Sequence, residues 1–266
     1  MIKKKTVLIT GGSGYLGEEM GRHLIECGYF VINLGRKKPN FCNSSITSAH
    51  FSIDFYKSQS LEIQLKKIIK RYSKIDILIN NSFDFSKKTG FNSEKGRIEK
   101  INKKTFMNGL ESGIYWTFQC SQALAKHMIK NKKGIIINIA SLYSFLVPDA
   151  KMYQNTKVFN PIIYSTSKHG VMGMTKYFSS FWGPLGIRVN ALSPGTFPNN
   201  QKNNNHKISP NKVQDDNFMK LLSSKCALNR VGAPSDLNAA IEFLCSEKSS
   251  LLHGQNIVID GGWSLL

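Results

Sequence analysis

One segment near the N-terminus decides the fold, and it reads Thr6-Val7-Leu8-Ile9-Thr10-Gly11-Gly12-Ser13-Gly14-Tyr15-Leu16-Gly17. Its first half is a short β-branched and apolar run, and residues 18–27 behind it repeat apolar positions at helical spacing. A strand, a glycine turn and a helix form a cradle for a pyrophosphate, because glycine lets the backbone approach and the first helical N–H groups bind the anion. Glycine-rich turns also close ordinary strand–helix junctions, so the segment alone leaves a nucleotide site and a plain connection both open.

Further apolar runs of strand length recur along the chain and alternate with helical stretches. Together with the first, they are Val7–Ile9, Val31–Leu34, Ile75–Ile79, Ile135–Ile139, Arg188–Leu192 and Ile257–Ile259. This alternation is typical of a parallel sheet covered on both faces. The sequence therefore predicts an α/β fold, a doubly wound Rossmann-type three-layer sandwich with a mostly parallel central sheet. No Pro-, Ser- or Gly-rich linker divides the 266 residues, so we expect one domain over 1–266.

Tyr164 and Lys168 form a second informative pair, four residues apart. If 161–182 is helical, both side chains lie on one face, and an ammonium beside a phenol favours the phenolate. Because an isolated tyrosine has a pKa of about 10, such a neighbour moves it toward the range useful for proton transfer. The same spacing also occurs on ordinary amphipathic helices, so the pair indicates a catalytic role only together with other motifs.

These features together resemble the short-chain dehydrogenase/reductase family, in its compact single-domain branch, from residue 6 to residue 263. The motifs occur in family order: Thr10-Gly11 with Gly14 and Gly17, Asp54, Asn80-Asn81, Ser141, Tyr164 with Lys168, Asn190, Pro194-Gly195, Gly254-Gln255 and Asp260-Gly261-Gly262. The resemblance implies an NAD(P)-dependent oxidoreductase that transfers a hydride between nicotinamide and a carbonyl or alcohol carbon.

The resemblance also implies roles for individual residues. Tyr164 would exchange a proton with the substrate oxygen, Lys168 would lower the Tyr164 pKa and hold the nicotinamide ribose, and Ser141 would hydrogen-bond the substrate oxygen. Besides Tyr164 and Lys168, the expected cofactor contacts are Gly11, Ser13, Gly14, Tyr15, Leu16, Gly17, Arg36, Asp54, Phe55, Asn80, Pro194, Gly195, Thr196 and Phe197.

The end of the second strand bears on the choice of cofactor. In the family, an acidic residue there binds the adenosine ribose of NAD, whereas basic residues accommodate the 2′-phosphate of NADP. Here the strand runs into Gly35-Arg36-Lys37-Lys38, which lacks a carboxylate and offers a guanidinium for bidentate phosphate binding. We expect NADP to be preferred, with NAD as the alternative. The competing interpretation is a basic turn that only faces water.

Three features depart from the family pattern. Tyr15 stands where the compact branch usually has glycine, which alters the detail of the turn. Counting back without gaps from Ser141 places Gly113 at the position of the usual catalytic Asn, so the proton relay that this Asn supports is in question. Ser141 and Tyr164 are also farther apart than is common, which places an insertion at 142–163 between two catalytic residues.

We expect two substrate loops, at about 142–163 and 197–228. The insertion offers hydroxyls and cations to a substrate, and an ordinary surface loop is the alternative. The polar stretch at 198–213, rich in Asn and Lys, opposes a steroid or long acyl pocket. The candidate substrate contacts are Tyr143, Lys151, Tyr153 and Lys157.

The inserted pattern resembles family members associated with bacterial surface-sugar and flagellin-glycan biosynthesis. That resemblance favours a phosphorylated or nucleotide-linked sugar as the substrate. Two alternatives remain, a 3-oxoacyl thioester reductase and, in a different class, a non-catalytic nucleotide-binding protein.

Composition bears on partners and location. With 36 Lys and Arg against 17 Asp and Glu, the net charge of +19 suits an anionic small-molecule substrate. The cations are spread along the chain without a nucleic-acid-binding signature, so we expect no nucleic-acid partner. No apolar run approaches the roughly 18 residues of a membrane span. Five scattered cysteines without CxxC spacing predict reduced thiols in the cytoplasm, and the histidines show no ligand spacing, so we expect no metal site.

The family resemblance further implies a homodimer or homotetramer. In the family, the helix that carries Tyr164 and the helix after Gly113 commonly pair with their copies in a second subunit. The residues expected at this seam are Phe118, Leu124, Phe178 and Phe181.

Overall fold

Seven parallel strands within the described ranges form one sheet. The structure is a computed structural model that describes residues 4–153, 159–199 and 216–266, with the side chains at 58–60 left undescribed. The strands are β1 Thr6–Thr10, β2 Phe30–Gly35, β3 Ser48–Ser52, β4 Ile77–Asn80, β5 Gly134–Ile139, β6 Ile187–Pro194 and β7 Asn256–Ile259. Their order is β3-β2-β1-β4-β5-β6-β7, and every adjacent pair is parallel. The predicted α/β class with a central parallel sheet is confirmed.

The helices cover both faces of this sheet. They are α1 Tyr15–Glu26, α2 Ser58–Tyr72, α3 Lys103–Leu110, α4 Trp116–Lys130, α5 Ile162–Trp182, α6 Asp216–Ser224 and α7 Asn238–Cys245. Helices α1 and α7 belong to the core on one face, whereas α2, α4 and α5 belong to the core on the other. The result is the predicted doubly wound three-layer arrangement.

The central strand shows why the sequence signal was strong. In β1, Leu8 faces one core, and Val7 and Ile9 face the other, because successive side chains of a strand point to opposite faces. All three are fully buried, and each contributes roughly 1.5–3 kcal/mol by leaving water. A strand buried on both faces is therefore apolar at nearly every position. By contrast, β3 pairs only with β2 at the edge of the sheet, and its sequence shows no apolar run.

Two of the four residues predicted to form a subunit seam lie in the core instead. Leu124 is 0% exposed and Phe178 is 5% exposed, because α4 and α5 turn these positions toward the sheet. The seam prediction is therefore wrong for both. Phe118 is partly buried against the same core. Phe181 is 59% exposed, and its ring stacks on Tyr177 with centroids 4.3 Å apart.

No helix in the part of the chain that the structure describes combines the length and apolar character needed to cross a membrane.

Helix α5 packs closely against the junction of α3 and α4, where residues Glu111–Tyr115 form one π-helical turn. Gly113 lies in that turn and is buried. A Cβ added there would overlap Ser167 of α5 and lie 3.0 Å from Cε2 of Phe83. Gly109, one turn earlier, faces Ile163 of α5 in the same way. Glycine at these two positions therefore lets α5, the helix that carries Tyr164, pack closely against α3 and the π-helical turn.

This contact predicts opposite effects for two glycine substitutions. Gly113→Ala should lower the free energy of unfolding by about 1–3 kcal/mol, because the new methyl group overpacks a buried contact. Gly173→Ala on the exposed side of α5 should raise it by up to about 1 kcal/mol, because a Cβ there meets nothing within 4 Å and alanine restricts the unfolded chain. Urea unfolding followed by circular dichroism measures both. A Gly113→Ala protein as stable as its parent would contradict the close packing.

Candidate active site

The candidate site lies at the carboxyl edge of the sheet, where the motifs of the sequence meet. β1 ends at Thr10 before the glycine turn, and β4 ends at Asn80. β5 ends two residues before Ser141, and β6 ends at Pro194. Because the carboxyl ends of parallel strands share one edge, these distant segments converge on one crevice.

The glycine turn has the shape of an anion cradle. Gly11 has a φ of 66°, and its carbonyl accepts a hydrogen bond from the Gly14 N–H at 3.0 Å. A Cβ on Gly17 would lie only 2.5 Å from the same carbonyl oxygen. Gly14 precedes α1 and has no side chain with which to cap its first turn. The turn and the N-terminus of α1 therefore fit the pyrophosphate of a dinucleotide, and Ser13, Tyr15 and Leu16 lie in this segment.

The side chains of two asparagines brace the glycine turn, and no sequence motif indicated these contacts. Oδ1 of Asn33 accepts a hydrogen bond from the Gly12 N–H at 2.7 Å. Nδ2 of Asn81 donates to the carbonyls of Thr10 and Gly11 at 3.2 and 3.1 Å. A polar residue inside the apolar run of β2 was the available signal for Asn33, which is fully buried. The hydrogen bond of Asn33 with the Gly12 N–H could not be predicted from the sequence.

The turn after β2 presents a free cation. β2 ends at Gly35, and the next residue, Arg36, is exposed. Arg36 forms no ion pair with any carboxylate among the described residues. Its guanidinium is therefore available to an external anion.

Two predicted cofactor residues, Asp54 and Phe55, have side chains that contact other groups of the protein. The ring of Phe55 is 5% exposed and stacks on Trp116 with centroids 5.0 Å apart. Oδ1 of the neighbouring Asp54 accepts a hydrogen bond from a backbone N–H two residues later. The Phe55 side chain thus faces the core, so a cofactor contact there could come only from the backbone.

Asn80 belongs to a buried chain of polar side chains beneath the crevice. Its Nδ2 donates to Oγ of Ser121 at 2.9 Å and to Oδ1 of Asn138 at 2.8 Å. Nδ2 of Asn138 then donates to Oγ1 of Thr175 at 2.9 Å. The Oδ1 atom of Asn80 is buried without a partner among the described residues. These side-chain hydrogen bonds join α4 and α5 to the ends of β4 and β5. The contact of Asn80 with a cofactor stays a prediction.

The segment after β6 is anchored to the C-terminal part of the chain. The Gly195 N–H donates to the carbonyl of Ile259 at 2.8 Å, and the Thr196 carbonyl accepts from Gly232 at 2.9 Å. The ring of Phe197 packs on Gly232, where a Cβ would overlap it. This anchoring holds the segment at the rim of the crevice.

The three predicted catalytic residues come together. Ser141 is 6% exposed, and its hydroxyl accepts a hydrogen bond from a backbone N–H of the 3-10 turn that follows. Tyr164 hydrogen-bonds with Ser141, and Lys168 lies one turn later on α5. Nζ of Lys168 donates to the carbonyl of Ile139, the last residue of β5, at 2.7 Å. Its Nζ lies 5.6 Å from the centre of the Tyr164 ring.

The protonation states differ from the sequence-based expectation. Burial raises the pKa of Tyr164 to about 12, and its hydrogen bond with Ser141 opposes that rise. Burial also lowers the pKa of Lys168 to about 8. The expected lowering of the Tyr164 pKa by Lys168 is not seen, because burial disfavours both charged forms and the ammonium points to the Ile139 carbonyl.

A cluster of phenylalanines surrounds the ring of Tyr164, and the sequence analysis missed it. This Phe cluster consists of Phe83, Phe85 and Phe91, whose ring centres lie 5.1, 5.8 and 5.3 Å from that of Tyr164. Phe85 is 53% exposed, so part of the cluster faces the solvent at the mouth of the site. The rings shield the partly buried Tyr164 side chain from much of the solvent.

The Phe cluster also explains the missing Asn. Phe83 fills the space beside Gly113 into which a side chain at 113 would project. The centre of the Phe83 ring lies 5.8 Å from Nζ of Lys168. Phe83 therefore lies next to both Gly113 and Lys168.

The insertion contributes hydroxyls to the same pocket. The hydroxyl oxygens of Tyr143 and Tyr153 lie 3.2 Å apart, and the Tyr143 ring centre is 6.5 Å from that of Tyr164. Lys151 is exposed, and Lys157 lies outside the described residues. The predicted substrate contacts of Tyr143 and Tyr153 stay predictions.

The two predicted substrate loops contact each other. Met152 of the insertion packs with Phe218 and Leu222 of α6, and Nζ of Lys225 lies 3.6 Å from a carboxylate oxygen of Asp149. The insertion and the start of the α6 region therefore form one wall. Residues 154–158 and 200–215 of these loops lie outside the described residues.

The buried ammonium of Lys168 predicts a pH-dependent stability difference. Its pKa is about 8 in the folded chain against 10.5 ordinarily, so the unfolded chain binds more protons between these values. The cost of burying the charge is full below pH 8 and disappears as the pH rises to about 10.5. Lys168→Met should therefore gain stability relative to the parent at pH 7, and the gain should shrink by a few kcal/mol by pH 10.5, at about 1.4 kcal/mol per pKa unit.

Urea unfolding of both proteins across this pH range tests the expectation. Lys176→Met removes an exposed lysine from the same helix and should show no such trend. A stability difference between Lys168→Met and the parent that does not change with pH would contradict the buried charge.

Comparison with known proteins agrees with the geometry of this site. Residues 16–264 match a family model described as enoyl-(acyl carrier protein) reductase. The chain is 29% identical to a probable 2,4-dienoyl-CoA reductase of Bacillus subtilis (strain 168), over 98% of this chain and 97% of that protein. It is 28% identical to a 2-dehydro-3-deoxy-D-gluconate 5-dehydrogenase of Escherichia coli (strain K12), over 98% and 96%.

A crystal structure of a short-chain dehydrogenase from Leptospira borgpetersenii with bound NAD+ aligns with a TM-score of 0.84 and 28% identity, over 98% of this chain and 93% of that one. The chain therefore belongs to the short-chain dehydrogenase/reductase family of NAD(P)-dependent oxidoreductases.

Proposed function

We propose that this enzyme interconverts a carbonyl and an alcohol on a phosphorylated or nucleotide-linked sugar, with NADP as the preferred cofactor. The observation that carries the proposal is the meeting of Ser141, Tyr164 and Lys168 beside the glycine turn. The same three residues weigh against a non-catalytic nucleotide-binding protein, since binding alone has no need for a partly buried phenol hydrogen-bonded with a serine.

The residues of the chain divide the proton chemistry between them. When bound, the nicotinamide ring supplies or accepts the hydride at the substrate carbon. In reduction, Tyr164 donates its phenolic proton to the substrate oxygen, and Ser141 hydrogen-bonds the same oxygen. Lys168, fixed to the Ile139 carbonyl, holds a positive charge beside the phenolate that forms. Oxidation follows the same steps in reverse.

The substrate class is supported by aromatic rings next to cations. The Phe cluster offers flat apolar faces on which the C–H faces of a sugar ring or a nucleobase can stack. Beyond it, the guanidinium of Arg97 lies 5.4 Å from the ring centre of Phe159, whose ring is 6.4 Å from that of Tyr153. The exposed Lys151 gives the insertion a cation that suits phosphate, whereas Arg97 is already paired with Glu94 at 2.8 Å.

A 3-oxoacyl thioester is the second candidate substrate. The insertion exposes apolar side chains, with Phe145 39% and Val147 76% exposed, next to the half-exposed Phe85. These surfaces suit an acyl chain, and one relative is named as a reductase of a CoA thioester. The positive charge of the chain also suits the phosphates of such a carrier.

We further propose one domain over 1–266, a cytoplasmic location and assembly into a homodimer or homotetramer. The described elements all pack on one sheet, and four of the five cysteines are buried free thiols. The exposed ring pair of Tyr177 and Phe181 on α5 supports assembly, because stacked aromatic rings are typical of buried contacts between proteins.

A substrate panel tests the proposed function. With NADPH, we expect kcat/KM to be highest for a nucleotide-linked or phosphorylated keto sugar, lower for a 3-oxoacyl thioester, and lowest for a small neutral dicarbonyl. Tyr164→Phe should lower turnover at least about 100-fold on every substrate, because it removes the transferable proton and keeps the ring. Highest efficiency with the thioester would replace the sugar by the second candidate, and unchanged turnover of Tyr164→Phe would refute the mechanism.

A companion variant separates substrate binding from chemistry in this panel. Lys151→Ala should raise KM for the phosphate-bearing sugar and leave the neutral dicarbonyl unchanged, because a uniform binding contact is lost. Lys176→Ala, on the exposed side of α5, is the matched control.

Cofactor preference depends on Arg36 in this proposal. Arg36→Asp should weaken NADPH binding and shift the preference toward NADH by at least about tenfold, because a carboxylate would face the 2′-phosphate. Arg71→Asp makes the same charge change at the end of α2 that lies at the opposite edge of the sheet, and it should leave the preference unchanged. Fluorescence titration with both nucleotides decides. Tighter binding of NADH than NADPH by the unmodified protein would overturn the proposed preference.

A further inference from the structure

Three side chains of metal-binding type meet on α1 and α7, away from the active site. They are His23, Cys27 and Glu242, named here the α1–α7 triad. α1 begins at the glycine turn on the carboxyl edge of the sheet and runs back along it, so its last turn lies at the opposite edge. His23 and Cys27 stand at that end. The triad is therefore separate from the crevice that holds Tyr164.

The distances between the three ligand atoms match the edges of a zinc tetrahedron. Nε2 of His23 lies 3.3 Å from Oε2 of Glu242 and 3.4 Å from Sγ of Cys27, and Sγ lies 3.5 Å from Oε2. Tetrahedral zinc has bonds of about 2.3 Å to sulfur and about 2.0–2.1 Å to nitrogen and oxygen, which places its ligand atoms about 3.3–3.6 Å apart. An ion just above this triangle would reach all three atoms.

The charges around the triad also suit a cation. Although the chain has a net charge of +19, Glu242 forms no ion pair with a lysine or arginine among the described residues, and its only ion-pair contact there is with His23. The nearest cation of α1, Arg22, is held between Glu19 and Glu26. An imidazole, a thiolate and a carboxylate form a mixed soft and hard ligand set, which favours zinc over magnesium or calcium.

We propose that the α1–α7 triad binds one Zn²⁺ ion. Cys27 would bind as the thiolate after it releases its proton to solvent, and water would fill the fourth position, because the Cys27 side chain is exposed. The ion would join α1 to α7 on the outer face of the sheet. The sequence predicted no metal site because ligand motifs are recognisable only at local spacing, whereas Cys27 and Glu242 are 215 positions apart.

Metal binding can be measured directly on the untagged, chelator-treated protein. We expect Zn²⁺ titration by calorimetry to give one ion per protomer with micromolar or tighter affinity, and a higher melting temperature with zinc. Co²⁺ should produce a thiolate-to-metal charge-transfer band. Cys27 is the one exposed cysteine of the five, so a thiol reagent should modify one thiol without zinc and none with it.

Variants separate a metal site from a hydrogen-bonded cluster. Cys27→Ser should abolish the charge-transfer band, and Cys27→Ser and Glu242→Gln should each weaken zinc at least about tenfold. Glu26→Gln, which changes a neighbouring carboxylate that pairs with Arg22, should bind zinc as the parent does. NADPH affinity should stay the same in all variants. Absence of stoichiometric zinc binding at micromolar concentration, or binding unaffected by Cys27→Ser and Glu242→Gln, would reduce the triad to a hydrogen-bonded cluster.

Discussion

The buried ammonium of Lys168 is the interaction on which the rest of the site depends. The residue is 6% exposed, and among the described residues its one hydrogen-bond acceptor is the carbonyl of Ile139. A charge in such a place is costly unless its position is fixed and its partners are good. The ammonium reaches this carbonyl from α5, and α5 packs on α3 and the π-helical turn, where glycine at 109 and 113 leaves room for Ile163 and Ser167. The packing of α5, the end of β5 and the position of Lys168 therefore depend on one another.

The Phe83 ring packs next to Gly113. A side chain at 113 would meet Ser167 and the ring of Phe83, so the packing around this position requires glycine. An aromatic face can stabilise a nearby cation by up to about 2 kcal/mol when both are desolvated. The centre of the Phe83 ring is 5.8 Å from Nζ, within the range of such a contact. The departure from the family pattern at 113 therefore has a physical partner at 83.

Much of the fold could be predicted from sequence because its signals are local. The fully buried strands are continuous apolar runs, and the turn after β1 needs glycine for its φ and close contacts. The catalytic three could be placed because each follows a recognisable strand or lies on one helical face. Long-range contacts could not be predicted, because they depend on which segments meet in the fold. Examples are the bracing of the turn by Asn33 and Asn81, the Phe cluster and the inward orientation of Leu124. Burial also reversed the expected direction of the Tyr164 pKa, because a sequence shows the neighbouring charge and not the surrounding rings.

The raised pKa of Tyr164 has a consequence for how the proton moves. At about 12, the phenol keeps its proton at neutral pH, so the free enzyme is ready to donate and not to accept. To act as a base, the same residue must have its phenolate stabilised by a change in its surroundings. Lys168 is the group within reach that can supply this, but with a pKa of about 8 it is itself close to losing its charge. An anionic group near Nζ would raise that pKa and keep the ammonium charged, and a charged ammonium would then favour the phenolate. An anionic ligand in the crevice, more than the sequence spacing of Tyr164 and Lys168, would therefore determine how readily Tyr164 gives up its proton.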